Sequence, residues 1–428
     1  MKRLWKATLL ILITLGFSGM MGCQSEPTPP GETFIVSFVD ENGTTLKEIT
    51  CVSGEACEID PPTLSQTREE CSSCYFTRWS VFPEDYASLN QDTIIRPIYT
   101  LDNRVITIGE RSVVFYSFFI MTGIIIALFL GIREIKRHGL KSDDLIDGFL
   151  WIVPVAILGS RLWYVVFEWD QFAGGGFFPT LLRIIGFESG TIDFSRFGLS
   201  GLAIHGAFVT AVICAYFYTK KRKIDIFIIL DIVAVGFIIA QAFGRWGNFF
   251  NQEAHGYVVG GMTENTPNIP IIKEQYLYLR NTLHLPEFIV NNMYIKAGLH
   301  GLSVEPVTGF YHPTFFYEST LNLLGFALML FLRRIKKIYI GDLFALYLIW
   351  YGAVRIFIET MRTDPLVFEF FGLTLKSAIV TSSLMILGGL LLALLLRLKR
   401  KGKTYGSIPG AFDFSHKSKS QDKEAANS

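Results

Sequence analysis

Charge is scarce in this chain. Of 428 residues only 18% are Asp, Glu, Lys or Arg, while half are hydrophobic. Soluble domains carry about a quarter charged residues, so a water-bathed surface over the whole molecule is excluded. Neither sign is in excess. A formal net charge of +1 gives no overall pull toward nucleic acid, and no such partner is expected. Histidine is rare too, with seven residues, none spaced as metal ligands, so neither a metal nor another cofactor is expected. Cysteine is limited to six and unevenly placed. Cys23 ends an apolar run, Cys51, Cys57, Cys71 and Cys74 lie close together, and Cys214 stands alone in an apolar segment. That unevenness implies two environments.

What is abundant is apolar sequence, with 37 Phe and a mean hydropathy of +0.37. Residues 1–22 read as an export signal, with Lys2, Arg3 and Lys6 ahead of an apolar core from Ala7 to Phe17. Residues 23–31 form a polar, Pro-containing linker. From Thr33 the pattern alternates. Phe34, Val36 and Phe38 share one side of a strand, Asp40-Glu41-Asn42-Gly43 makes a turn, and further strands are predicted over Leu46–Thr50, Tyr75–Trp79 and Thr93–Tyr99. Residues 32–101 are thus expected as a small extracytoplasmic β module. It is similar to the β-grasp-like repeats of bacterial surface proteins in "TFIVSFVDENGTTLKEIT", "FTRWS" and "IRPIYT". Four cysteines in an exported module point to two disulfides rather than a zinc site, with three pairings open.

Beyond Asp102 the runs lengthen. Val113–Ile132 and Ser377–Leu396 contain no charge and have the length of a spanning helix. Five more spans are predicted near Ile146–Phe167, Gly201–Tyr218, Ile224–Phe243, Pro313–Leu332 and Leu343–Ile358. Basic clusters follow the first span (Arg133, Lys136, Arg137), the third (Lys220, Lys221, Arg222, Lys223), the fifth (Arg333, Arg334, Lys336, Lys337) and the seventh (Arg397, Lys399, Arg400, Lys401). The positive-inside rule then predicts a polytopic α-helical membrane protein with seven transmembrane helices, N-terminus outside and C-terminus cytoplasmic. The core is expected over 105–400, and the polar tail 401–428 as disordered.

The chain is organised around Gly244-Arg245-Trp246-Gly247-Asn248-Phe249-Phe250-Asn251-Gln252-Glu253-Ala254-His255-Gly256. Polar groups at this density, at the end of an apolar run, read as a site rather than as interfacial anchoring. Other ionisable groups lie in or beside the spans: Arg161, His205, Glu318, and the set Tyr351, Arg355 and Glu359, which share one helix face. Interhelical ion pairs are one reading of them. A surplus of cations at the extracytoplasmic ends favours the other, an anionic ligand gripped by planar guanidiniums, most simply a phospholipid headgroup.

These residues carry a resemblance. From about 105 to 400 the chain resembles the prolipoprotein diacylglyceryl transferases. Their signature Gly-Arg-x-Gly-Asn-Phe-x-Asn-x-Glu-x-x-Gly stands whole at 244–256, accompanied by "FYSFFIMTG", "LGSRLWYVVF", "LAIHGAF", "HPTFFYE" and "YGAVRIFIETMR". One departure is Gly206-Ala207 after the histidine, where the family usually has two glycines. The resemblance implies a bacterial cytoplasmic-membrane enzyme. It would move the diacylglyceryl group of phosphatidylglycerol to the lipobox cysteine of a prolipoprotein signal peptide and release glycerol phosphate. On it, His205, Arg245 and Arg355 are candidate catalytic residues. Tyr116, Arg161, Asn248, Asn251, Glu253, Gly256, Tyr351 and Glu359 are candidate substrate-binding residues. Met20-Met21-Gly22-Cys23 itself resembles a lipobox, which makes Cys23 a candidate for self-lipidation. The rival reading, a transporter for an anionic solute, requires an inverted repeat between the halves of the core, and none is visible.

Overall fold

The computed structural model describes residues 29–65, 67–68, 71–108, 111–173, 176–187, 192, 203–260, 272–298, 307–363, 365–370, 373–399 and 403–408. The export signal and Cys23 lie outside them. The chain divides into two compact units, Met1–Asp102 with Pro270–Tyr294, and Asn103–Ile269 with Ile295–Ser428.

The first unit is built on strands. β1 (Thr33–Val39) pairs antiparallel with β2 (Thr45–Val52), the register placing Phe34 opposite Cys51 and Val36 opposite Ile49. The alternation read from sequence puts Phe34, Val36 and Phe38 inside, against Trp79, Tyr86 and Ile95. After β3 (Thr67–Arg68) and β4 (Cys71–Trp79) the predicted strand Thr93–Tyr99 divides in two. β5 (Thr93–Ile95) pairs parallel with β1, whereas β6 (Pro97–Tyr99) pairs antiparallel with β4. Pro97 cannot donate to a ladder and marks the break. The two disulfides are Cys51–Cys57 and Cys71–Cys74, so each closes a short local loop.

This unit reaches further along the chain than residues 32–101. Short helices Ile272–Leu277 and Glu287–Asn292 belong to it. Arg78 explains why. It is buried, with its guanidinium 4.5 Å from the Phe82 ring and 4.4 Å from the Tyr276 ring. One of its nitrogens donates to Trp79 O at 2.8 Å and the other to Asn291 Oδ1 at 3.3 Å. A buried guanidinium needs acceptors and aromatic faces, and half of these come from residues 276 and 291. Leu101 N donates to Asn292 Oδ1 at 2.9 Å, and Lys273 pairs with Asp85.

The second unit is helical. Its long helices are α1 (Phe115–Arg137), α2 (Ser142–Phe167), α3 (Ile204–Arg222), α4 (Ile226–Phe250), α5 (Thr314–Leu332), α6 (Asp342–Glu359) and α7 (Ser377–Lys399). Five of them, α1, α2, α4, α5 and α7, are long and apolar enough to cross a membrane. α4 is the centre, with α1, α5 and α6 packed on it and α7 on α6. Small residues set the spacing, as expected where close contact rather than hydrophobic exclusion drives association. A methyl added at Gly123 would lie 2.9 Å from Ala240 Cα, and one at Gly206 would lie 2.4 Å from Gly159 O. The second contact fixes α2 against α3.

Two polar networks hold the helix ends away from the signature stretch. Glu134 pairs with Arg334 at 2.8 Å, Arg137 at 3.1 Å and Arg333 at 3.7 Å. Asp231, buried near the start of α4, accepts from Gly341 N at 2.6 Å, Phe344 N at 2.8 Å and Tyr405 Oη at 2.8 Å. The tail expected as disordered from 401 is therefore ordered over 403–408. A buried carboxylate demands donors, and Tyr405 supplies one while its own N–H donates to Ile338 O at 2.9 Å.

Candidate functional site

The signature stretch is helical for longer than its glycines suggest. α4 was expected to end near Phe243 but runs on through Phe250, so Arg245 and Asn248 stand one turn apart on one helix. Each glycine inside a helix costs up to about 1 kcal/mol. Gly247 offsets this through a close approach, since an added Cβ would sit 2.6 Å from the Tyr116 ring and 3.0 Å from Tyr116 Cα. Gly244 faces open space beside Arg245, with no atom within 4 Å of an added Cβ.

Past Asn251 the chain turns sharply. Gln252 and Ala254 both take left-handed backbone conformations, with φ of 53° and 56°, which non-glycine residues adopt only where the surroundings compel it. The compulsion is visible. Asn248 Nδ2 donates to Glu253 Oε1 at 2.8 Å and Asn251 Nδ2 to the same atom at 3.3 Å. Thr314 Oγ1 donates to Ala254 O, and Gly256 N donates to His312 O at 2.9 Å. An added Cβ at Gly256 would be 2.9 Å from His312 Cβ and 3.2 Å from Met361 O. Only glycine fits there.

Arg245 leads this chain of contacts, donating to Asn248 Oδ1 at 3.2 Å and pairing with Glu318 Oε1 at 2.8 Å. Arg355 on α6 lies 4.0 Å from the other Glu318 oxygen and 2.8 Å from Glu359 Oε2. Both carboxylate side chains are sealed at 1% exposure, whereas Arg245 and Arg355 keep 19% and 16%. The surplus of cations expected from sequence is not what is found, because each arginine has a carboxylate behind it. Orientation replaces surplus. A guanidinium has five N–H donors, and the buried carboxylates take some of these while both arginine side chains keep partial exposure. Tyr351 stands a turn below Arg355, its ring stacked on Tyr347 at 5.9 Å.

Other predicted residues lie elsewhere. Arg161 is buried on α2 and donates to Ile184 O at 3.1 Å and Arg183 O at 2.8 Å, while its guanidinium lies 4.9 Å from the Phe172 ring. It thereby holds the C-terminal carbonyls of the helix Phe177–Ile185. Ser160 Oγ donates to Ala203 O at 2.9 Å, which brings the "LGSR" and "LAIHG" motifs together. His205 stands in the first turn of α3, and its side chain lies outside the described residues.

Residues not chosen from sequence also belong to the site. Glu318 is the hub of the ion pairs, although it read there only as one of several intramembrane charges. His312 is half-buried, with Nδ1 3.1 Å from Tyr317 Oη, and burial lowers its imidazole below the ordinary value. The "HPTFFYE" stretch carried both, but the fold alone places them against residues 245 and 256.

Comparison with known proteins gives one coherent result. The family model described as prolipoprotein diacylglyceryl transferase matches residues 103–395. A phosphatidylglycerol–prolipoprotein diacylglyceryl transferase of Lactobacillus delbrueckii subsp. bulgaricus is 38% identical over 300 residues, covering 70% of this chain and 92% of the relative. Its counterpart in Halalkalibacterium halodurans is 38% identical over 295 residues, covering 69% and 86%. That of Listeria monocytogenes is 38% identical over 269 residues, covering 63% and 82%.

Proposed function

The chain belongs to the prolipoprotein diacylglyceryl transferase family, and from that premise we propose how its ion cluster performs the transfer. The enzyme moves the diacylglyceryl group of phosphatidylglycerol to a prolipoprotein cysteine and releases glycerol phosphate. The cysteine sulfur bonds to the glycerol carbon, the bond from that carbon to the phosphate oxygen breaks, and the thiol proton passes to a base. Negative charge grows on the leaving phosphate. Donors fixed beforehand and aimed at that charge lower the barrier most.

The observation that carries the proposal is Glu318, a sealed carboxylate within ion-pair reach of both Arg245 and Arg355. It sets two partly exposed guanidiniums on one anchor as the groups that meet the phosphate oxygens, which planar Arg grips in two-pronged fashion. Asn248, Asn251 and Glu253 hold Arg245 in place. Glu359 does the same for Arg355, while Tyr351 adds a side-chain hydrogen bond to Arg245. His205 is assigned as the base that draws the thiol toward thiolate, and Arg161 fixes the local fold beside it.

The polytopic membrane core is read as seven spans, the α3 and α6 helices joining the five that are long and apolar enough by themselves. Basic clusters after the first, third, fifth and seventh helices support a cytoplasmic C-terminus and an outside N-terminus in the bacterial cell membrane. The strand-built unit and its disulfides then lie outside, where lipobox-bearing prolipoproteins arrive. The test is direct. Purified protein is mixed with phosphatidylglycerol vesicles and a lipobox peptide, and glycerol phosphate and the peptide mass are followed. Release of glycerol phosphate in step with a diacylglyceryl mass gain on the cysteine is expected. A peptide that stays unmodified overturns the proposal.

A further inference from the structure

The segment that follows α2 is built into a shape that the transfer chemistry leaves unused. Trp169–Phe172 and Phe177–Ile185 are two short helices, and with them lies an open cleft of about 390 Å³. Its walls include Trp169, Ala173, Phe177, Thr180, Leu181 and Ile184, so it is apolar apart from one hydroxyl and one indole N–H. Trp169 and Phe177 stay 51% and 79% exposed, which leaves the cleft accessible. Concave, mostly apolar surfaces with few polar groups are where apolar ligand groups bind.

The walls are held from behind. Arg161, buried on α2, donates to Ile184 O at 3.1 Å and Arg183 O at 2.8 Å, and its guanidinium lies 4.9 Å from the Phe172 ring. Arg183 in turn donates to Phe172 O at 3.2 Å. One buried cation therefore touches both short helices, a costly group committed to fixing their spacing. Bilayer contact alone calls for exposed apolar side chains and not for walls pinned in this way. The same stretch of α2 seats the start of α3. Ser160 Oγ donates to Ala203 O at 2.9 Å, and an added Cβ at Gly206 would lie 2.4 Å from Gly159 O and from Trp163 Cβ. His205 stands between those two contacts, in the first turn of α3. Residues 159–163 thus carry the assigned base and the anchor of the cleft.

We propose that this cleft receives the apolar side chain three residues before the reacting cysteine of the prolipoprotein, and so selects the peptide. The inference rests on the transferase reading and on His205 as the base that meets the sulfur. The chain's own Met20-Met21-Gly22-Cys23 shows the pattern, with an apolar residue three before the cysteine. Three extended residues span about 10 Å, close to the ~8–10 Å between the axes of packed helices. A sulfur held at the first turn of α3 therefore leaves that side chain within reach of the cleft beyond α2. The lipid phosphate is held by arginines of α4 and α6, which leaves the α2–α3 side to the peptide. In the orientation proposed above, the end of α2 and the start of α3 both lie outside, where an exported cysteine arrives.

The experiment compares two lipobox peptides, one with leucine and one with alanine three residues before the cysteine. Missing methylenes in an apolar pocket cost about tenfold or more, so the parent enzyme is expected to prefer the leucine peptide by at least ~10-fold in kcat/KM. Ala173→Leu fills the cleft, and in it that ratio is expected to fall to about threefold or less, chiefly through a higher KM for the leucine peptide. Thr180→Phe fills the cleft from the other helix and serves where the first variant does not insert. The same enzymes are assayed with dioctanoyl and dipalmitoyl phosphatidylglycerol. Turnover of either peptide reports on the transfer itself, and only the peptide ratio reports on the cleft. A parent enzyme indifferent to the two peptides, or an inserted variant that keeps the full ratio, overturns the proposal. So does a variant that changes the preference between the two lipids while the peptide ratio holds, because the cleft then takes an acyl chain.

Discussion

Arg245 and Glu318 lie 2.8 Å apart across the α4–α5 interface, the carboxylate sealed and the guanidinium partly open. Arg355 reaches the same carboxylate from a third helix, so one buried anion orders two cations from different parts of the chain. Ion pairs of this kind add little net stability when both charges must leave water. Their value here is geometric, because two arginines stay fixed before a substrate arrives.

Glu318→Gln keeps the shape and removes the charge that both arginines face. Breaking a buried pair from one side costs several kcal/mol when the remaining charge is sealed, and the partial exposure of Arg245 and Arg355 reduces this to about 1–3 kcal/mol. A lower melting temperature in detergent is expected, together with loss of transfer as the guanidiniums lose their common anchor. Unchanged stability and rate would show that Glu318 orders neither.

Tyr405→Phe tests the opposite end of the core. It takes one of three donors from Asp231, at a cost of about 1–2 kcal/mol. Because residues 403–408 lie far along α4 from the signature stretch, the rate of transfer should hold while the melting temperature falls. A fall in rate with no change in melting would contradict this division.

How much of this was legible beforehand differs by feature. Apolar runs located the long helices α1 to α7, and alternation put Phe34, Val36 and Phe38 in the core of the first unit. The signature stretch located Arg245, Asn248 and Glu253. What could not be read was partnership over distance. Arg78 finds Tyr276 and Asn291 some two hundred residues on, and no local pattern announces it. Asp231 and Tyr405 are similarly remote. Arg245 and Arg355 read as surplus cations because Glu318 and Glu359, visible as charges, gave no sign of which arginine each would face. The continuation of α4 past Gly244 was hidden because glycine normally weakens helices, and the reason for Gly247 lies in Tyr116 on another helix.

Acid should destabilise the protein through His312. Burial holds its folded value below the ordinary one of about 6.5, so on acidification the unfolded chain takes up a proton first. Stability is complete above the ordinary value, falls as pH drops through it, and levels off below the folded value. His138, also lowered mainly by burial, acts with the same sign. Melting temperatures between about pH 8 and about pH 5.5 should decline, and His312→Gln should flatten the slope. An equal slope in that variant would remove His312 from the account.

His205→Gln retains a hydrogen-bonding side chain and removes the base. Proton transfer of this kind is worth about 10²–10⁴-fold, and the loss should shrink as pH rises and the peptide thiol ionises unaided. Activity within about threefold of the parent at neutral pH would leave His205 a structural role.

The central claim is that Arg245 and Arg355 grip the leaving phosphate as two forks, and lysine substitution tests it most directly. Lysine keeps the charge but presents a single point to the phosphate. The measurement is the initial rate of glycerol phosphate release at saturating phosphatidylglycerol, with insertion and melting checked for each variant. The account predicts that Arg245→Lys and Arg355→Lys each lose at least ~100-fold, or about 3 kcal/mol of transition-state stabilisation. A folded lysine variant releasing glycerol phosphate within about threefold of the parent rate would contradict it.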